Sequence, residues 1–334
     1  MKKYLFIIGL LLLMSTIAYP QIRPDTSFYL KNDKNIYSVV ISKNNKIIYQ
    51  QYFNGKSDAT LMNDQSLTKS IVSLLIGIAI DKRYITSLDE KIGKYFPQLT
   101  KDKDPRKQNI TIGQIMNQSS GLYHENLNDL KDYLNKKSQS EYVLKQNLVS
   151  DPGTTFYYNN AASHLLSVIL TKATGMPTLD FAKKYLFEPM DITNVSWPKM
   201  KDGYYDGCGL LSIRMRTQDM VKIGGLLINN GFYINNRLVP ATWIKALLKP
   251  ENTFDTQWGF KDSKYALCWY HFNYKGTSAI YALGWGGQFL IAIPKYHAVV
   301  AANASIADEN AIMESARFTD KIFPVLFDYI KAQK

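Results

Sequence analysis

The sequence is poor in the residues that build metal and cofactor chemistry. It holds two cysteines, Cys208 and Cys268, and four scattered histidines, His124, His164, His271 and His297. No H-E-x-x-H or C-x-x-C pattern joins them, so no metal and no cofactor is predicted. Two distant cysteines exclude a disulfide framework and leave either one bridge or two buried thiols. A G-x-S-x-G elbow is also missing, which argues against an ordinary α/β-hydrolase. Charge runs are missing as well. The 40 Lys+Arg and 28 Asp+Glu give +12, but they are scattered singly, without a basic helix, and no nucleic-acid partner is predicted. There is no internal repeat, low-complexity tract or flexible linker.

Long apolar runs are few. The segment Tyr4 to Met14 is short for a membrane span, which needs roughly 20 apolar residues. Lys2 and Lys3 precede it and Thr16-Ile17-Ala18 follow, the layout of a signal peptide over 1–18 cleaved near Ala18, with an uncleaved anchor as the alternative. No cysteine follows the run, which argues against lipid attachment. Loss of the two lysines takes the formal charge from +12 to +10. The expected mature protein is secreted or periplasmic, in the cell envelope, with no stable membrane span.

What is present is a large apolar fraction, 46%, with 13% aromatic residues, enough for a sizeable core. Ile36 to Ile41 and Lys46 to Phe53 flank a polar turn and predict an antiparallel hairpin. Ser66 to Asp81 is apolar on nearly every side and predicts a buried helix, with Asn63 or Asp64 as N-cap. Helical patterns follow at Ile110 to Met116, Leu127 to Leu134, Ser140 to Leu148, Ala161 to Thr174 and Leu179 to Phe187, then at Thr217 to Asn229 and Ala241 to Leu248. Strand patterns return at Lys264 to Tyr274, Ser278 to Leu283, Gln288 to Ile293 and His297 to Ala302, before a closing helix from Asn310 to Ala332. Strands at both ends with hairpin-length spacing predict an α/β (α+β) chain: an antiparallel sheet sandwiched by helices, with an inserted, mostly helical subdomain. The boundaries read as one domain over 25–330, its sheet-bearing part 25–84 and 203–330 and its helical part 85–202.

Ser66-Leu67-Thr68-Lys69 opens the buried helix. Residues i and i+3 share a helix face, so the lysine amine can reach the serine hydroxyl, and burial is expected to lower the lysine pKa toward that of a useful base. An S-x-x-K arises about once by chance in a chain of this length. A second copy, Ser196-Trp197-Pro198-Lys199, carries a proline where a helical turn is needed. Alone, the first copy also fits a capping serine with a solvated lysine. Pro152-Gly153-Thr154-Thr155-Phe156-Tyr157-Tyr158-Asn159-Asn160 delivers two tyrosines and two asparagines to a helix entrance. A tyrosine beside a lysine can relay a proton, and an asparagine can hold a substrate amide; an aromatic loop with Asn caps is the structural alternative. Gly284-Trp285-Gly286-Gly287-Gln288 lies between two late strands, either as a plain turn or as a backbone able to lend an oxyanion-hole N–H.

In this order and at these distances, the three segments resemble the β-lactamase-related serine hydrolases: class C β-lactamases, D-alanyl-D-alanine carboxypeptidases and their esterase and amidase relatives. Leu165-Leu166 to Thr174-Gly175, Glu188-Pro189-Met190 and Gly209-Leu210-Leu211-Ser212 before Thr217-Gln218-Asp219 extend the likeness. The resemblance implies an α/β sandwich with a helical lobe and a site between them. It assigns Ser66 as nucleophile, Lys69 as base, Tyr158 as proton relay and Asn160 as substrate holder, with Tyr157 and Asn159 as the competing register. It places Trp285, Gly286, Gly287 and Gln288 at the substrate, with the N–H groups of Ser66 and Gln288 as the oxyanion hole. Trp285 stands where the family carries K-T-G or H-x-G, and an indole cannot pair with a substrate carboxylate. The segment is more similar to the esterase and 6-aminohexanoate-dimer hydrolase branch. The expected activity is therefore hydrolysis of a small-molecule or peptide ester or amide, of cell-wall origin or not, through an acyl-enzyme. The alternatives are a β-lactamase or D-alanyl-D-alanine carboxypeptidase, or a penicillin-binding-like envelope protein without turnover.

Overall fold

Alternating side chains on hydrogen-bonded strands set the architecture. The computed structural model describes residues 30, 33–125, 129–307 and 311–333, and the leader read over 1–18 lies outside them. The main-sheet strands are β1 (Ile36–Lys43), β2 (Lys46–Tyr52), β3 (Phe254–Asp255), β4 (Lys264–Ala266), β5 (Trp269–Tyr274), β6 (Thr277–Gly284), β7 (Gln288–Ile293) and β8 (Ala298–Ala304). They form one eight-stranded sheet in the order β2-β1-β8-β7-β6-β5-β4-β3, antiparallel throughout. The first and last sheet strands in chain order are therefore neighbours, with Val40 of β1 opposite Ala301 of β8. Asn44 and Asn45, both at positive φ, make the tight β1–β2 turn, a conformation asparagine tolerates.

The central strands divide their side chains between two cores. On β7, Leu290 and Ala292 join one cluster, and Phe289, Ile291 and Ile293 join the other. The first cluster is closed by α1 (Leu67–Asp81), α2 (Asn160–Thr174), α3 (Thr217–Ile228) and α4 (Ala241–Leu248). The second is closed by Phe318, Ile322 and the final helix α5 (Phe323–Ala332), through Phe323, Leu326, Phe327 and Ile330. The result is an antiparallel sheet sandwiched by helices, the class expected. Between α1 and α3 the chain is mostly helix and loop, apart from isolated bridges and the short strand Arg214–Met215, which pairs with Met62–Asn63 just before α1; α2 packs directly against α1. Among the described residues no helix is long and apolar enough to cross a membrane.

Several local expectations change. Lys264 to Tyr274 is a hairpin, β4–β5, rather than one strand. Its two-residue turn is Leu267-Cys268, at φ 51° and 66°. Neither residue signals a turn; the conformation is held from outside, with Leu267 N donating to Asn117 Oδ1 at 2.8 Å and Cys268 N to Met116 O at 2.9 Å. The short strand Phe254–Asp255 was not expected. The closing helix is interrupted by a π turn, Phe318–Ile322, ahead of Pro324, which has no N–H to offer the ladder. Leu179 to Phe187 likewise divides into Thr178–Ala182 and a π turn at Lys183–Phe187. The helix read over Leu127 to Leu134 is observed as Leu130–Asn135, with residues 126–128 outside the described set. Neither Asn63 nor Asp64 caps α1: Ser66 stands at the N-cap without a side-chain capping bond, and Asp64 is fully buried.

Helix α1 is buried from Leu67 to Ala79, so it has no face on which to accommodate added bulk. At Gly77 a Cβ would lie 2.4 Å from the Trp243 ring of α4. Replacing Gly77 by Val is expected to destabilise the protein by about 1–3 kcal/mol, because overpacking outweighs the few tenths gained in helix propensity. Urea unfolding midpoints measure this, and an unchanged midpoint would mean that the contact yields freely.

Candidate active site

The site forms where the N-terminus of α1, the N-terminus of α2 and the loop before α3 converge. Ser66 is half-buried, and Lys69, one turn on, is only 1% exposed. Lys69 Nζ donates to Ser66 Oγ at 3.0 Å, to Asn160 Oδ1 at 2.7 Å and to the Cys208 carbonyl oxygen. An ammonium has three protons, and here each has an acceptor. Nζ also lies 4.7 Å from the centre of the Tyr158 ring. The structure thus brings Ser66, Lys69, Tyr158 and Asn160 together.

The expected depression of the Lys69 pKa is overturned. Burial does push the ammonium down, but the neighbouring acidic groups of Tyr158, Cys208 and Asp206 push it up, and the net displacement is above the ordinary lysine value. The apolar wall of α1 supplies burial without isolation.

The two registers of the tyrosine-asparagine segment separate cleanly. Tyr158 packs against Tyr265 (ring centres 6.1 Å apart) and Trp258 (6.5 Å) beside the lysine. Tyr157 is exposed and stacks on His124 at 5.1 Å. Asn159 is the α2 N-cap, accepting from Ala162 N at 2.7 Å, and its amide donates to the Leu122 and Tyr123 carbonyls.

The glycine-rich segment divides by role. Gly286 and Gly287 are buried and at positive φ, and Trp285 is half-buried. The Gln288 side chain is committed to the fold: Nε2 donates to the Trp285 and Ala304 carbonyls, and Oε1 accepts from Asn303 Nδ2 at 3.1 Å. Asn303 Nδ2 also donates to Asp64 Oδ1 at 3.2 Å. Burial pushes the Asp64 carboxyl well above the usual range, against the opposing Asn303 bond. This buried chain ties the strand before Ser66 to β7.

Two glycines press on the backbone just ahead of and at Ser66. A Cβ on Gly209 would stand 2.2 Å from the Gln65 carbonyl oxygen and 2.7 Å from Ser66 N, and one on Gly284 would stand 2.3 Å from the Asp64 carbonyl oxygen. Sequence reasoning overlooked what surrounds Gly209. The Cys208 carbonyl reaches Lys69, and Ser212 Oγ accepts from Gln65 N at 2.7 Å. The available signal was Asp206-Gly207-Cys208-Gly209, where two glycines permit close backbone approach. Both cysteines are free and buried, which settles the alternatives left open for them.

A buried polar pair supports the same loop. His164 Nδ1 accepts from Gly207 N at 3.3 Å, and Nε2 donates to Asp202 Oδ2 at 3.0 Å. Among the described residues no cluster could hold a metal ion.

The chain matches the Beta-lactamase family over residues 36–320 and belongs to that family, a group of serine hydrolases. It is 26% identical over 184 residues to the Beta-lactamase-like protein 2 of Dictyostelium discoideum, covering 53% of this chain and 31% of that protein; the match thus spans about a third of the curated relative's length. A structure assigned as a 6-aminohexanoate-dimer hydrolase from Bacillus anthracis is similar over 91% of this chain and 81% of its own, at 19% identity and a TM-score of 0.74. A family VIII carboxylesterase is similar over 90% and 94%, at 16% identity and a TM-score of 0.67. At these identities the structural likeness shows the fold.

Burial opposes ionisation of Asp202, but the hydrogen bonds from His164 and Ser140 hold its pKa below the ordinary value, at about 2. A depressed carboxylate stabilises the fold above its unfolded pKa, and that contribution is lost as pH falls through the folded value. Asp202→Asn is therefore expected to be less stable than the native chain near neutrality, with the difference shrinking as pH falls from about 4 to about 2. Denaturant midpoints across that range measure it, and a constant difference would contradict the assignment.

Proposed function

We propose that the protein is an exported serine hydrolase that forms an acyl-enzyme on Ser66 with an ester or amide substrate. The observation that carries this reading is the 3.0 Å contact between Lys69 Nζ and Ser66 Oγ, with the lysine buried and no carboxylate hydrogen-bonded to it among the described residues. After Lys69 gives up one proton, its neutral amine takes the proton of Ser66 Oγ as the oxygen attacks the substrate carbonyl. The oxyanion is held by the N–H groups of Ser66 and Gln288, and the positive end of α1 favours the same charge. The tetrahedral species collapses, the carbonyl–leaving-group bond breaks, and Tyr158 delivers its proton to the departing oxygen or nitrogen and is reprotonated by the proton that Lys69 took from Ser66. Water then releases the acid and restores Ser66. Asn160 fixes Lys69 through its oxygen and orients the substrate.

Trp285 favours esters and neutral amides over β-lactams and D-Ala-D-Ala termini, since no cation stands at that position to pair with their carboxylates. The names of the structural neighbours, a 6-aminohexanoate-dimer hydrolase and a carboxylesterase, support that choice. The leader-like segment supports export, which N-terminal sequencing of the protein from its native host checks directly.

A fluorophosphonate probe is expected to modify Ser66 in the native protein and not in Ser66→Ala; native protein that resists labelling overturns the reading. Because Lys69 is held as an ammonium above its ordinary pKa, kcat/KM on p-nitrophenyl esters is expected to climb with pH through the neutral range into the alkaline. Lys69→Ala should lose about 10²–10⁴-fold in rate with the fold retained. A flat pH profile, or near-native rates in that variant, would remove Lys69 as the base. Turnover of a chromogenic cephalosporin should be slow or absent; rapid turnover would show that Trp285 is no barrier.

A further inference from the structure

Asp206 is completely buried, and its carboxylate is the acceptor of five hydrogen bonds. Oδ1 accepts from Cys208 N (2.8 Å), Cys208 Sγ (3.0 Å) and Gly209 N (3.0 Å). Oδ2 accepts from Leu211 N (2.7 Å) and Ser212 N (2.8 Å). Its main chain is anchored separately, with N donating to Pro198 O at 2.9 Å and O accepting from Trp197 Nε1 at 2.7 Å. One side chain thus holds the whole turn 206–212 in shape.

That turn is the mould of the nucleophile segment. Asp64 N donates to Ile213 O at 3.1 Å, Gln65 N to Ser212 Oγ at 2.7 Å, and Ile213 N to Thr68 Oγ1 at 3.1 Å. Gln65 and Ser212 both sit at positive φ, at 50° and 66°, a conformation that needs outside support in residues other than glycine. The turn ends its work at the Cys208 carbonyl, one of the three acceptors of the Lys69 ammonium.

We propose that Asp206 is the positioning residue for Lys69: it fixes the turn that presents the Cys208 carbonyl and places a buried negative charge behind it, holding the amine against Ser66. This rests on the acyl-transfer reading of Ser66 and Lys69. The acidic groups around the amine come from three elements: Tyr158 from the segment entering α2, Asp206 and Cys208 from the turn, and Cys268 from the β4–β5 turn. Asp206 is the carboxylate of this set.

An amide in place of this carboxylate would turn an NH2 group toward at least two backbone N–H donors. Asp206→Asn is therefore expected to lose at least about tenfold in kcat/KM on p-nitrophenyl butyrate, mostly in kcat. Its Lys69 titration, followed by carbon NMR of the lysine ε-methylenes and by the pH profile, should move down by about one pH unit, because a charge favouring the ammonium is gone. Asp206→Glu is the second variant. It keeps the carboxylate charge but lengthens the side chain, so the Lys69 midpoint should stay near the native one while kcat falls, because the turn that presents the Cys208 carbonyl is displaced. A purely structural role would lower activity in both variants and leave the midpoint unmoved in both. A lowered midpoint in Asp206→Asn, restored in Asp206→Glu, supports the proposal; a folded Asp206→Asn with unchanged midpoint overturns it. If that variant does not fold, a native kcat/KM in Asp206→Glu overturns it. Fluorophosphonate labelling of native Ser66 runs alongside: failure there defeats the acyl-transfer reading, whereas labelling with an unmoved Asp206→Asn midpoint defeats only the role of Asp206.

Discussion

A buried lysine with three acceptors is the constraint around which the rest of this molecule is arranged. Taking an ammonium out of water is expensive unless every proton is met. Here the acceptors come from α1 itself, from the start of α2 and from the turn before α3. Those three pieces are remote in sequence, so the sheet and its helices must be assembled before the ammonium can be satisfied. Fold and site are in this sense one requirement. The same saturation makes the resting lysine a poor base, and a proton must leave it before the proposed chemistry can begin.

Much of this was legible in the sequence, for physical reasons that differ by element. Helix α1 is read from its apolar run because a helix buried on all sides has few polar positions to blur the pattern. The β1–β2 hairpin is read because asparagines announce a turn at positive φ. Ser66 and Lys69 are read because i and i+3 on a helix meet whatever else the chain does. Tyr158 and Asn160 could be chosen over Tyr157 and Asn159 only through the Pro-Gly-Phe spacing of a known family, since either register fits a helix entrance.

What escaped was whatever tertiary contacts impose. The Leu267-Cys268 turn has no local propensity for its conformation and exists because Met116, Asn117 and Ser70 hydrogen-bond to it. The sign of the Lys69 shift depends on acidic neighbours that only folding brings near. Asp206 gives no signal of its own in the sequence, because a carboxylate that organises its own following turn leaves almost no pattern beyond two nearby glycines.

The glycines at 209 and 284 carry a consequence for how such a site adapts. Gly284 closes on the Asp64–Gln65 peptide and Gly209 on the next one, Gln65–Ser66, leaving backbone against backbone where any side chain would collide. Ser66 is consequently delivered on a segment with little slack, and a side chain added at either glycine would displace it. Tyr157 and Trp258, by contrast, are exposed and can be exchanged at little cost to the interior. The molecule separates a rigid centre around Ser66 from a border of aromatic side chains that tolerates replacement.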